Sequence, residues 1–168
     1  MSVKINFATL DLMDALDLAV LIECEARDRY NFFAEQIGRR DGVDAASIFE
    51  SMAVNEEKHG QQLAERRKQL FGDKPIRVSK SAIFDVEAPE FGAPRWNMSA
   101  FKALQLALSS EEKAYGFYDE AIKYVKDAGV RELFTELRDE ETEHVGLVKK
   151  AMAALPPGSD VDAVDLDD

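Results

Sequence analysis

Cysteine is almost absent from this chain of 168 residues, in which Cys24 is the only one. A single cysteine excludes an internal disulfide bond and any metal site built from paired cysteines. Long apolar runs are missing as well. No stretch approaches the roughly 20 apolar residues that a membrane-spanning helix needs, and the N-terminus has neither the basic region nor the apolar core of a signal peptide. We therefore expect a cytoplasmic protein.

Basic residues are outnumbered by acidic ones, with 21 Lys and Arg against 33 Asp and Glu and a net charge of −12. Nucleic acids and anionic membranes are bound by clustered Lys and Arg, so we expect neither nucleic acid nor a membrane as a partner. Part of the acidity lies in residues 159–168, five of which are Asp. We expect a mobile acidic tail there, following a single domain over residues 1–158.

Histidine is also scarce, and its two copies end the same four-residue motif. One copy is Glu56-x-x-His59 and the other is Glu141-x-x-His144. On a helix, positions i and i+3 lie only ~60° short of a full turn apart, so both side chains project from one face. A carboxylate and an imidazole in this arrangement can bind one cation, and two copies predict two cations.

The motif belongs to a longer internal repeat. Residues 49–59 and 134–144 share Phe, Glu and His at their first, eighth and eleventh places. Residues 23–30 and 111–118 share Glu, Ala and Tyr at their first, fourth and eighth places. Only two copies of this long period fit in the chain, so the repeat predicts a duplicated helical hairpin rather than a solenoid.

Apolar residues recur at helical spacing in four segments. The predicted helices run from Thr9 to Ile37, from the cap Asp44 to Leu70, from Met98 to Val125 with Asn97 or Ser99 as the cap, and from Val130 to Leu155. Residues 72–97 contain three Pro, two Gly and an extended-looking stretch over residues 76–78. Helices of this length are about 40 Å long, so this connection can return along the whole bundle. We predict an all-α four-helix bundle with one long crossover between helices 2 and 3.

The repeat singles out one glutamate in the first helix of each hairpin and one Glu-x-x-His motif in the second. The six residues are Glu23, Glu56, His59, Glu111, Glu141 and His144. They match the ligand pattern of carboxylate-bridged di-iron and di-manganese bundles. Burying four carboxylates without cations would cost many kcal/mol or force protonation. Oxygen-rich ligation with one imidazole per metal predicts two iron ions, with manganese or another divalent metal as the alternative.

Neighbouring glutamates offer alternative assignments. Glu112 competes with Glu111, although the match of the repeat to Glu23 favours Glu111. Surface positions remain an alternative for the glutamates of the two histidine motifs. Three flanking glutamates point about 100° or more away from the ligand direction and are expected to be solvated. These are Glu57, Glu140 and Glu143.

Two tyrosines each follow a candidate ligand by seven residues, which is two helical turns along nearly the same stripe. They are Tyr30, after Glu23, and Tyr118, after Glu111. Each is either a core aromatic residue or a hydrogen-bond donor to a ligand carboxylate. A redox-active phenol near the metals is a third interpretation.

Three segments resemble the rubrerythrin-type ferritin-like proteins. Residues 21–36 (LIECEARDRYNFFAEQ) are similar to the first helix of that family, residues 55–63 (NEEKHGQQL) to the second and residues 139–148 (DEETEHVGLV) to the fourth. The resemblance covers about residues 9–155. It implies a ferritin-like bundle and di-iron redox chemistry with peroxide or dioxygen.

The chain departs from this family pattern in several places. It lacks the cysteines of a C-terminal rubredoxin domain, and Ala114 stands where the peroxidase-type site carries a further glutamate, three residues after Glu111. The departure at Ala114 makes the predicted site more symmetric and lowers the expected efficiency of peroxide reduction. No methionine adjoins Glu56, so haem is not expected. A fifth short helix, typical of cage ferritins, is not evident.

The implied function is a non-haem di-iron oxidoreductase of the rubrerythrin-like peroxidase or ferroxidase type. Its electrons would come from a separate electron-donor protein, since the chain lacks the rubredoxin domain. One alternative is an iron-binding or storage module with a ferroxidase centre, which would need a hollow assembly. Another is a structural bundle with an inactive site. Whether the protein is an enzyme therefore depends on which of these holds.

Several aromatic residues exceed what the core of one bundle is expected to bury. They are Phe7, Phe32, Phe84, Phe91 and Trp96. Exposed apolar patches often mark an interface, so we predict a homodimer. The alternative is that the crossover folds its aromatic residues onto its own bundle.

Overall fold

The computed structural model describes residues 5–36, 45–83 and 97–158, and their regular structure is entirely helical. In chain order the helices are α1 (Leu12–Gln36), α2 (Ala45–Phe71), a 3₁₀ helix (Lys80–Ile83), α3 (Ala100–Tyr124) and α4 (Ala128–Ala153). The four predicted helices and the all-α class are confirmed. The extended-looking stretch over residues 76–78 belongs to neither a helix nor a strand.

Capping side chains determine where α1 and α3 begin. Asp11 accepts a hydrogen bond from the backbone N–H of Asp14 at 2.8 Å, so α1 begins after it at Leu12 rather than at the predicted Thr9. Ser99 caps α3 by accepting from a backbone N–H in its first turn. Side-chain acceptors of this kind satisfy N–H groups that have no partner within the helix.

The start of α4 and the end of α2 follow from single residues. Asp127 accepts from the N–H of Val130 at 3.0 Å, so α4 begins at Ala128, and Gly129 lies inside its first turn. The predicted start at Val130 is therefore two residues late. Gly72 ends α2 with a φ of 61°, a left-handed conformation that glycine adopts without a steric penalty. The predicted cap Asp44 lies outside the described residues.

Two apolar clusters reveal the direction of each helix. Cluster A joins the start of α1, the end of α2, the end of α3 and the start of α4, with members such as Leu16, Leu63, Tyr118 and Leu133. Cluster B joins the opposite ends of the same helices, with members such as Tyr30, Phe49, Leu104 and Val148. Thus α2 and α3 run in one direction and α1 and α4 in the other. The end of α2 and the start of α3 therefore lie at opposite ends of the bundle, as the predicted long crossover requires.

The beginning of this crossover is fixed to the bundle by a buried arginine. Arg67 pairs with Asp17 on α1 at 2.8 Å. It also donates to the carbonyl oxygens of Gly72 at 2.7 Å and Lys74 at 2.6 Å. Farther along, Ile83 of the 3₁₀ helix is buried in cluster A. The first part of the crossover therefore packs against the end of the bundle that contains cluster A.

The aromatic residues behind the homodimer prediction differ in their environments. Phe7 packs edge-on against Phe117, with ring centroids 5.7 Å apart, so it contributes to its own core. Phe32 is 48% exposed and remains available to an interface. Phe84, Phe91 and Trp96, like the predicted tail, lie outside the described residues. Within the described ranges, no helix combines the length and the apolar character that a membrane span requires.

Candidate metal centre

Each of the four helices places one buried glutamate near its midpoint, in a layer between clusters A and B. The four are Glu23 on α1, Glu56 on α2, Glu111 on α3 and Glu141 on α4, none more than 2% exposed. Their burial rules out surface positions. Each fully buried large apolar side chain of the flanking clusters contributes roughly 1.5–3 kcal/mol. These contributions hold together a bundle whose middle layer is strongly acidic.

His144 lies at the centre of one half of this layer. Its Nδ1 is 3.3 Å from Glu111 Oε2, 3.5 Å from Glu141 Oε2 and 3.6 Å from Glu56 Oε1. One ring nitrogen thus faces carboxylates from three different helices. Ligand atoms of Glu56, Glu111 and His144 all lie within 4.8 Å of one another, which is close enough for them to surround a single cation.

His59 marks the other half of the layer. Its Nδ1 is 4.0 Å from Glu23 Oε2, and ligand atoms of Glu23, Glu56 and His59 form a second group within 4.8 Å. The imidazole rings of His59 and His144 are parallel, with centroids 5.1 Å apart. Because Glu56 belongs to both groups, the layer offers two adjacent cation positions that share one carboxylate. All six residues selected by the repeat are therefore brought together.

The two halves differ at Glu140. Its side chain is 41% exposed, which agrees with the predicted solvation, but its Oε2 also lies 3.9 Å from His59 Nδ1. The spacing of four residues between Glu140 and His144, which places both on one face of α4, was the signal that could have indicated this. In the alignment of residues 49–59 with 134–144, Asn55 of α2 is equivalent to Glu140. By contrast, Glu143 is exposed, as predicted.

The other neighbouring glutamates lie away from the layer. Glu112 is exposed while Glu111 is buried, which decides between these two candidates in favour of Glu111. Glu57 is half-buried and forms an ion pair with Arg27 on α1. This ion pair lowers the pKa of the Glu57 carboxyl. The Glu57 carboxylate is therefore directed to Arg27 and not to the candidate centre.

Tyr30 contacts the layer directly. Its hydroxyl donates a hydrogen bond to Glu111 Oε1 at 2.9 Å, and its ring stacks against Phe49 of cluster B at 5.9 Å. Tyr118 is fully buried, with its ring centroid 5.4 Å from that of Phe134. Tyr30 is thus both a core residue and a donor to a candidate ligand, which unites two of the interpretations offered by the sequence.

Burial and like charge oppose ionisation in this layer. Burial, followed by the proximity of Glu23, raises the pKa of Glu56 well above its ordinary value. Burial and the nearby charge of Glu111 raise the pKa of Glu141 in the same way. For Glu111 burial acts in the same direction, but hydrogen bonds, from His144 first, outweigh it and lower its pKa. Burial and the neighbouring His144 lower the pKa of His59.

The donor set fits two divalent metal ions. Among the described residues, Glu56 Oε2, Glu141 Oε2 and His59 Nδ1 have no hydrogen-bond partner. Buried polar atoms without a partner are costly, and coordination to a cation would satisfy them. Two divalent cations would also neutralise four carboxylates. Carboxylate oxygens with one imidazole per cation suit iron or manganese.

Solved structures that are similar to the chain include the following two, in order of similarity in fold. The crystal structure of an uncharacterised conserved protein from Magnetospirillum magnetotacticum MS-1 is 27% identical, with a TM-score of 0.70 over 88% of this chain and 97% of that one. A hypothetical protein from Pyrococcus furiosus is 24% identical, with a TM-score of 0.58 over 86% of this chain and 89% of that one. The second likeness shows the fold alone.

Comparison with protein families is more specific. No curated protein matches the chain. The family model described as Rubrerythrin matches residues 14–152, and a second match covers residues 102–165. The first match spans all four helices and includes every residue of the acidic layer. The chain belongs to the rubrerythrin family.

Proposed function

We propose that the protein is a non-haem di-iron oxidoreductase that reacts with peroxide or dioxygen. The observation that carries this proposal is the pair of residue groups that share Glu56 in the buried layer. Glu23 and His59 would complete one iron site. Glu111, Glu141 and His144 would complete the other.

The two iron ions, when bound, would supply reversible electron transfer and Lewis acidity towards oxygen atoms. The protein's own side chains prepare the site for this chemistry. Glu56, which belongs to both residue groups, would contribute to both sites. Tyr30 holds the carboxylate of Glu111 in one orientation through its hydrogen bond. The apolar side chains of clusters A and B flank the layer at its two ends, and apolar surroundings strengthen electrostatic interactions within it.

Electrons would come from a separate donor protein. The chain has one cysteine, which is too few for a second iron site with thiolate ligands. Only the two histidines already placed in the layer are available as imidazole ligands. The proposed source of electrons is therefore a donor outside these 168 residues.

Rapid mixing tests the proposed reaction. The protein, loaded anaerobically with Fe(II), is mixed with hydrogen peroxide or with dioxygenated buffer, and iron oxidation is followed by absorbance. We expect one of the two oxidants to oxidise the bound iron faster than it oxidises Fe(II) in buffer. The variant Glu56→Ala should lose this acceleration. The variant Glu143→Ala, which replaces an exposed glutamate on α4, should retain it. Equal rates with and without the protein would contradict the proposal.

A further inference from the structure

A cavity of about 360 Å³ opens beside the candidate metal centre, between α2 and α4. Its inner end is formed by Glu56, Glu111 and His144. The cavity lies in the half of the bundle that contains cluster B. It therefore reaches the side of the acidic layer that contains His144. Glu140 lies on the opposite side of the layer, near His59.

Short side chains on the two facing helices account for this opening. Ser47 and Ser51 are one turn apart on α2, and Leu147 and Ala151 are one turn apart on α4. Residues four apart share a helix face, so these pairs form two opposite walls. Serine and alanine are too small to close the gap between the helices, and Leu147 is 57% exposed at its edge.

The chemistry of the walls indicates what the cavity can hold. Much of the lining is apolar and comprises Ile48, Met52, Leu104, Leu147, Val148 and Ala151. Polar side chains stand at the mouth and at the inner end. Peroxide and dioxygen are far smaller than this space, which falls within the range of about 300–1,000 Å³ typical of pockets for organic ligands. The flexible thioether of Met52 can adapt to different shapes.

We propose that this cavity binds a small, uncharged and largely apolar organic molecule whose polar end faces Glu56 and His144. The inference deepens the proposed function by adding an organic ligand to the centre, and it rests on that function for the charge of the ligand. Metal ions would neutralise the carboxylates at the inner end, and the apolar walls would desolvate any ionic group at a large cost. A neutral polar end is therefore favoured.

Straight-chain primary alcohols from butanol to decanol are suitable probes, and their binding can be measured by calorimetry on metal-loaded protein. Burying one methylene group contributes about 0.8 kcal/mol. Affinity should therefore rise about fourfold for each added methylene group and level off once the cavity is filled. An absence of saturable binding, or an affinity that is independent of chain length, would overturn the proposal.

Two substitutions that fill the cavity locate the binding. Ala151→Trp should weaken alcohol binding at least tenfold, and Ser51→Trp should do the same from the opposite wall, where the exposed position tolerates a large side chain. The matched control is Ala153→Trp, which makes the same change on α4 at an exposed position outside the lining. Thermal melts identify folded variants. If either substituted protein is folded and binds the alcohols as tightly as the parent, the proposal is overturned.

Iron content and mass, measured on the same samples, separate the possible outcomes. Protein that binds iron but no alcohol contradicts the cavity inference alone. Protein that binds alcohols but takes up no iron contradicts the proposed function. If Ala151→Trp abolishes that alcohol binding, the inference that the cavity binds an organic molecule is still supported. If Ala151→Trp instead converts a dimer to a monomer, the cavity is a contact for a second copy, and the inference is wrong.

Discussion

The Tyr30 hydroxyl and Glu111 Oε1 lie 2.9 Å apart although 81 positions separate the two residues in the chain. The hydrogen bond crosses from α1 to α3 and therefore joins the two halves of the internal repeat. It also connects cluster B, where the Tyr30 ring packs, to the acidic layer. One side chain thus couples the packing of the core to the orientation of a proposed metal ligand.

Replacing Tyr30 with Phe should weaken both metal binding and stability. The change leaves the buried Glu111 Oε1 without this donor, at a cost of about 1–3 kcal/mol. Loss of such an outer partner typically lowers metal affinity 10- to 100-fold. Competition with a coloured chelator measures the affinity for Fe(II). The exposed Tyr115→Phe on α3 is the control, and an affinity equal to that of the parent would show that the hydrogen bond does not support the site.

Replacing Glu141 with Gln should stabilise the metal-free protein while reducing its iron content. Burial and the charge of Glu111 raise the pKa of Glu141 in the folded state. A raised carboxyl pKa means that the folded state binds more protons than the unfolded state, so stability falls as pH rises above the ordinary value. The amide removes this dependence.

Thermal melts of the metal-free proteins at pH 5 and pH 8 measure the effect of Glu141→Gln. The variant should melt higher than the parent at pH 8, with each 1 kcal/mol appearing as roughly 2–4 °C, and the difference should shrink at pH 5. Glu143→Gln, an exposed change two residues farther along α4, should alter neither melting temperature. A lower melting temperature for Glu141→Gln at pH 8 would mean that its carboxylate is well solvated in the folded protein.

Introducing a glutamate at Ala114 should speed the oxidation of the reduced centre by peroxide. Ala114 is fully buried, lies three residues after Glu111 and belongs to neither apolar cluster, which is consistent with a position in the acidic layer. A carboxylate there would add an anionic ligand for the oxidised metal. The control is Gly116→Glu, which adds the same side chain at an exposed position. An unchanged rate at preserved iron content would place residue 114 away from the metals.

Phe32 provides the test of the predicted homodimer. It is 48% exposed and lies beside the buried Phe33, with ring centroids 6.4 Å apart. Light scattering should give a dimer mass for the parent, and Phe32→Arg should shift the equilibrium towards monomer. The neighbouring exposed Asn31→Arg controls for the added charge. A monomeric parent would remove the interface, and a cage-sized mass would favour iron storage.

The internal repeat predicted the six residues of the layer because helical spacing alone determines which side chains share a face. It could not predict contacts that depend on how closely two helices approach. The position of Glu140 beside His59 depends on the approach of α4 to α2. The cavity near Asn55 likewise depends on a gap between these two helices.

Local capping chemistry was harder to predict than the helices themselves. The sequence predicted that the fourth helix begins at Val130, just after Gly129, yet the side chain of Asp127 caps α4 and Gly129 lies inside the helix. The sequence also did not determine the hydrogen-bond partner of the Tyr30 hydroxyl. The spacing of Tyr30 from Glu23 left a hydrogen bond to a ligand carboxylate as one of three interpretations. The observed carboxylate belongs to Glu111 in the other hairpin, and only the packed structure reveals this.

Elemental analysis of protein loaded anaerobically with Fe(II) and freed of excess metal tests the central claim most directly. The two groups that share Glu56 predict about two iron ions per chain. The double variant Glu56→Ala, Glu141→Ala should retain almost none, while Glu143→Ala should retain both. A stoichiometry near zero in the parent, or undiminished iron in the double variant, would show that the buried carboxylate layer is not a metal centre.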